Sequence, residues 1–181
     1  MKRLLLIICF VLVTATGIIA QQKEFPKLTG PHLGQKPPGT IPEIFAPGIV
    51  SIEGLQLRLF ITPDGSEIIY LSVVNVPNQG DKQVSMNFRF INIKMKNNIW
   101  QQPEIIPFSK EYRNDEPSLS YDGNKLFFVS NRPSEDKTEP EKMPDIWMSE
   151  RREEGWGFPV NIGRPVNTEG VEVQPYYSKD N

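Results

Sequence analysis

The chain has 181 residues with 20 basic and 22 acidic side chains, a formal net charge of −2, so it lacks the basic footprint of a nucleic-acid-binding protein. Its length suffices for one domain with a sizeable core, while 10% aromatics and seventeen prolines suit a turn-rich β protein; no window carries the period of a long amphipathic helix. One histidine and one cysteine argue against a structural zinc site and a disulfide framework, and no cofactor is expected.

Met1–Ala20 has the layout of a bacterial-type secretory signal. Lys2 and Arg3 form the charged start, Leu4–Val13 the apolar stretch, and Gly17–Ala20 a cleavage region before Gln21. The apolar stretch is shorter than the ~20 residues a membrane span needs, so membrane contact is expected only through an uncleaved leader. Cys9 lies inside that stretch behind Ile8, which does not suit a lipoprotein site. Cleavage after Ala20 would remove Lys2 and Arg3, leaving 18 basic against 22 acidic residues and a net charge of −4. The expected location is periplasmic or secreted.

Residues 21–47 form a Pro/Gly-rich arm, LTGPHLGQKPPGTIPEIFAPG at its centre, that can hold neither a helix nor a central strand. Leu55–Phe60 then alternates, with Leu55, Leu57 and Leu59 expected on one buried face. Glu67–Val74 is its hairpin partner. Asn87–Lys94 follows, with Phe88, Phe90, Ile91 and Ile93 competing for the inner face. Asn97-Asn98 reads as a turn before Ile99–Ile106. The order recurs: Ser118–Ser120, Lys125–Ser130, Asp145–Arg151, a Glu154-Gly155 turn, Trp156–Ile162, and Glu172–Tyr177 as the opening strand of a third copy. Asn75–Ser85 and Asn131–Pro144 read as polar insertions, the acidic run Ser134–Glu141 as a solvated loop.

Two sets of markers establish the repeat. Asp64-Gly65, Asp122-Gly123 and Asp180 recur every 58 residues, and Asp-Gly between β-rich runs is a hairpin signal, because glycine accepts positive φ and aspartate bonds its own backbone. Trp100 and Trp156, each followed three residues later by proline, recur at 56. The units are therefore about 48–106, 107–162 and a partial 163–181. Four short strands per unit suggest a β-propeller blade, although the period exceeds the usual ~40–50 residues.

The stretch SLSYDGNKLFFVSNRP resembles the PD40 (WD40-like) repeat, whose core reads roughly S-P-D-G-x-x-[LI]-x-[FY]-x-S-x-R, as found in TolB-like exported propellers and in the propeller domains of tricorn-like and prolyl oligopeptidase-like peptidases. The first copy keeps Pro63-Asp64-Gly65 and Ser72 but has no terminal arginine. The resemblance implies an all-β protein of four-stranded antiparallel blades, two complete and a third begun. A ring closes at about 4–8 blades. Two blades and a strand would belong to a longer protein, self-associate through open edges, or form a small open sandwich.

Candidate sites follow. Asp64, Asp122 and Asp180 read as turn chemistry rather than metal or glycan contacts; an Asp box does not fit, since Asp122 and Gly123 are adjacent and Phe127 stands in place of tryptophan. Arg132, which the resemblance places in the repeat, would grip an anionic ligand bidentately or tie neighbouring strands as an ion pair. Asp115 and Glu116 would line a propeller face or stand as solvated loop carboxylates. Trp147, with Trp100 and Trp156, would fill gaps between blades or form a carbohydrate platform. His32, in the arm, is the sole base for a Ser-His-Asp triad, and no G-x-S-x-G elbow accompanies it. No residue is assigned a catalytic role. The expected function is non-catalytic binding of a protein, peptide or cell-envelope glycan. The alternative is a glycan or peptide hydrolase, or its propeller portion, with Asp115, Glu116 and Glu172 as carboxylates to be paired.

Overall fold

The computed structural model describes residues 24–77, 84–133 and 143–179. The leader, the acidic run and Asp180 lie outside the described residues. Two antiparallel sheets are built from the two copies of the repeat. The first contains β1 (Leu55–Ile61), β2 (Glu67–Pro77) and β3 (Val84–Lys96), with two short strands, β4 (Ile99–Trp100) and β5 (Glu104–Ile105), in tandem along the far edge of β3. The second contains β6 (Asn114–Leu119), β7 (Lys125–Ser130) and β8 (Asp145–Arg152), likewise flanked by β9 (Gly155–Trp156) and β10 (Val160–Asn161). The protein is all-β in its regular structure, apart from short 3-10 turns at His32–Gly34 and Pro107–Ser109.

The correspondence extends to single hydrogen bonds. Met95 N–H donates to Ser66 O at 2.7 Å, and Arg151 N–H donates to Asn124 O at 2.8 Å. Gln101 N–H reaches Lys94 O, and Gly157 N–H reaches Glu150 O, both at 2.8 Å. The fourth edge is broken identically in both sheets, so the interruption belongs to the repeat.

Three sequence expectations need correction. β2 and β3 continue to a Pro77–Val84 pair, so Asn75–Pro77 and Val84–Ser85 lie in paired strands rather than a polar insertion. The turn after β8 is centred on Glu153-Glu154, and Gly155 begins β9. Glu172–Tyr177 forms no strand, because no ladder partner lies beside it among the described residues. A further correction concerns Leu55, Leu57 and Leu59, which are 60%, 44% and 40% exposed. β1 ends its sheet, and the ladder shifts between Leu57 and Phe60, where Arg58 adopts φ 52°. The shift at Arg58 turns Leu59 to the face opposite Leu55 and Leu57, while those two stay beside Val73 and Leu71 and are exposed because β1 is the edge strand of its sheet.

Because β2 and β3 are covered on both faces, they lack clean alternation. Ile69, Leu71 and Val73 of β2, with Phe90 of β3, meet Leu126 and Phe128 of β7 and Trp147 of β8. The opposite face, Ile68, Tyr70 and Ile93, carries Leu33 and Ala46 of the arm and Val50 just after it. The arm is anchored there by the Trp100 indole N–H, which donates to Gly30 O at 2.7 Å. Shifted by one repeat, Ile68 and Tyr70 become Leu126 and Phe128. The arm therefore lies on one unit where the first unit lies on the other.

An ion pair ties the sheets together. Arg151 Nη1 sits 2.6 Å from Glu67 Oε2, with the side chains 29% and 3% exposed, and Asn92 Nδ2 donates to the other Glu67 oxygen at 3.0 Å. Removing one partner strands a buried charge, so Arg151→Met should cost about 2–4 kcal/mol. Arg151→Met/Glu67→Gln should recover part of it. A denaturant-melt double-mutant cycle with no coupling would show that the pair does not hold the sheets.

Candidate functional site

The Asp-Gly turns are built alike. Thr62 Oγ1 donates to Asp64 Oδ1, and Ser120 Oγ to Asp122 Oδ1, both at 2.6 Å. The same aspartate oxygens accept the amides of Ser66 at 3.1 Å and Asn124 at 3.0 Å. Gly65 and Gly123 follow at φ 70° and 75°. Hydrogen bonds from the Thr62 and Ser66 side chains, then the Ser66 amide, hold the Asp64 carboxyl down at about 2. The Ser120 hydroxyl and the Asn124 amide and side chain lower Asp122 in the same way. These donors use the carboxylates within the turns.

On β6, the counterpart of the Arg58 irregularity falls between Asp115 and Ser118, with Glu116 at φ 48°. Gln174, a further 58 residues on, has φ 53°. The third copy thus keeps this backbone feature without a ladder. Glu116 and Gln174 are joined directly, for the Gln174 amide donates to Glu116 Oε2. Asp115 accepts Arg113 Nη2 at 3.0 Å and the Glu116 amide at 2.9 Å. Both carboxylates border a cavity of about 330 Å³ with Arg113, Val129, Val171 and Val173. Glu172 accepts both the hydroxyl and the amide of Thr168 at its Oε1.

Arg132 is only 4% exposed. Its Nε donates to Ser130 Oγ at 3.1 Å; its Nη2 donates to Asn114 Oδ1 at 2.8 Å and Phe108 O at 3.3 Å. Four rings surround the guanidinium carbon: Trp147 at 5.1 Å, Phe128 at 5.2 Å, and Phe108 and Tyr112 at 5.6 Å. No carboxylate lies within ion-pair distance among the described residues. Burial pulls its pKa down to about 10, opposed by Tyr112 and Glu111. With Nε and one face of the fork already engaged, a bidentate grip on an anion is not available. Trp147 is buried beneath it.

The structure therefore joins Arg132 with Trp147, and Asp115 with Glu116, at two separate places. Gln174 as the partner of Glu116 could have been found from the 58-residue spacing. Phe108, Tyr112 and Asn114 around Arg132 lie outside the repeat motif and carried no signal. No family model, curated protein or solved structure matches the chain.

Two measurements probe the turns. At Gly123 an added Cβ would stand 3.0 Å from Pro63 Cδ of the neighbouring turn, whereas nothing lies within 4 Å at Gly65. Both positions have positive φ, so both valine substitutions strain the backbone, and only Gly123→Val adds a clash. Gly123→Val should lower stability by about 1–3 kcal/mol, and Gly65→Val by less; equal melting curves would contradict the turn contact. The second measurement is acid sensitivity. The depressed Asp64 pKa contributes stability that is present above the ordinary carboxyl value of 3.8 and lost as pH falls through about 2. Asp64→Asn/Asp122→Asn should flatten the melting-temperature profile between pH about 4 and 2. A slope unchanged from wild type would show the turns do not titrate in the fold.

Proposed function

We propose that the two units are blades of a PD40-type β-propeller, and that the chain is an exported, non-catalytic scaffold binding a protein, peptide or cell-envelope glycan. The observation that carries this is the use of opposite faces in the contact between sheets. Ile69 and Leu71 of one unit meet Leu126 and Phe128 of the next, which occupy the repeat positions of Ile68 and Tyr70. A contact between unlike faces does not terminate itself; repeated, it generates a ring or an open stack. The far face of the second unit continues the series. Tyr177 stacks on Phe127 at 5.3 Å, and their repeat counterparts Leu119 and Ile69 share the core between the two sheets. β1 lies near β6, as first strands around a common axis would.

A binding role draws support from the exposed apolar side chains of β1. Among the described residues β1 is paired on one edge only, and the other edge is a route to self-association with further copies. Export rests on the leader at residues 1–20.

The experiment is a paired one on the mature protein, comparing retention on peptide and envelope-glycan arrays with turnover of fluorogenic glycosides and peptides. Retention without turnover is expected. Reproducible turnover that disappears in Glu116→Gln or Glu172→Gln would replace the scaffold reading with the hydrolase one.

A further inference from the structure

Arg132 leaves one donor unused. Its Nε and Nη2 are hydrogen-bonded, and Nη1 has no acceptor among the described residues. Arg132 also contributes to the wall of a cavity of about 250 Å³. The other walls are Pro107, Phe108, Glu111, Tyr112, Trp156, Gly157 and Phe158. Trp156 likewise keeps its indole Nε1 buried without a partner. Phe158 is 89% exposed, an aromatic ring presented to solvent beside a buried cation.

A buried guanidinium with no carboxylate in ion-pair contact among the described residues is costly, and four ring faces and the nearby Glu111 offset only part of that cost. The surroundings favour a negative charge delivered to Nη1. The walls favour an apolar body behind that charge. The cavity is below the ~300–1,000 Å³ of usual ligand sites, which limits the occupant to about one ring. A single free nitrogen suits a carboxylate better than a dianion, and the nearby Glu111 carboxylate disfavours phosphate further.

We infer that this cavity is a binding site for a monocarboxylate carried on a single aromatic or apolar ring, its charge at Arg132 Nη1 and its ring between Tyr112, Trp156 and Phe158. The site belongs to the second unit, because the counterpart of Arg132 in the first is Val74, and it does not depend on ring closure.

Benzoate is the probe, titrated against the full mature chain with tryptophan fluorescence and ligand-observed NMR. Saturable binding with a dissociation constant on the order of 1 mM or tighter is expected. Benzamide, which keeps the ring and loses the charge, should bind roughly tenfold more weakly or worse. Phe158→Ser removes an exposed ring, leaves the core intact and should weaken benzoate by roughly threefold or more. Glu111→Gln should tighten it. Arg132→Lys should abolish binding; should it unfold the chain, Phe158→Ser and Glu111→Gln still test the site. Any of four results overturns the inference: no saturation, equal affinity for benzamide, affinity unchanged in each of the single variants Phe158→Ser and Glu111→Gln, or preference for phosphate or glucuronate over benzoate.

Discussion

The packing of one sheet's face on the unlike face of the next is the contact on which the rest depends. Phe90 meets Phe128 edge-on at 5.3 Å, and Phe108 stacks on Phe128 at 5.1 Å. Such pairs add about 0.5–1.5 kcal/mol each to the burial of their area. Neither sheet could stand alone, since β2, β3, β7 and β8 carry apolar side chains on both faces. Each face needs a cover, and the chain supplies three: the arm on the first unit, the first unit on the second, and residues 171–177 on the far side. The Glu67–Arg151 pair fixes the relative rotation of the sheets within this arrangement, with Asn92 satisfying the second glutamate oxygen.

Backbone irregularity recurs with the same fidelity as packing. Arg58, Glu116 and Gln174 occupy one repeat position and share positive φ although none is glycine. A side chain there carries a strain of about 1–3 kcal/mol, which persists only where the surroundings impose it. In the first two copies the neighbouring strand imposes it through a shifted ladder. In the third the Glu116 carboxylate holds the Gln174 amide. The carboxylate that sequence patterning offered as a ligand contact is thus occupied within the chain, and so is Asp115.

Arg132 shows how the same residue serves packing and leaves a chemical opening. Its hydrogen bonds to Asn114, Ser130 and Phe108 join the start of β6, the end of β7 and the loop before them. The rings of Phe128 and Trp147 beneath it are core, so the guanidinium closes the top of the inter-sheet contact. An amide, a hydroxyl and a carbonyl take up the hydrogens of Nε and Nη2 without neutralising it. A charge so placed is tolerable, and it biases what can enter the neighbouring cavity.

Local chemistry determined much of this protein in advance. The Asp-Gly turns at 64–65 and 122–123, the Asn97-Asn98 turn, the β content and the repeat were legible because each depends on a few adjacent residues: glycine for positive φ, a short polar side chain to bond its own backbone, alternating or continuous apolar runs for strands. The faces were not legible. Leu55, Leu57 and Leu59 alternate as a buried strand should, yet they lie at an edge broken by Arg58, and strand position within a sheet is set by partners distant in sequence. Whether Arg132 met an anion, a carboxylate or a ring cage likewise depended on Phe108, Tyr112 and Asn114, which only folding brings to it. Residue periodicity encodes what a segment can form; burial, pairing and charge environment belong to the assembled sheets.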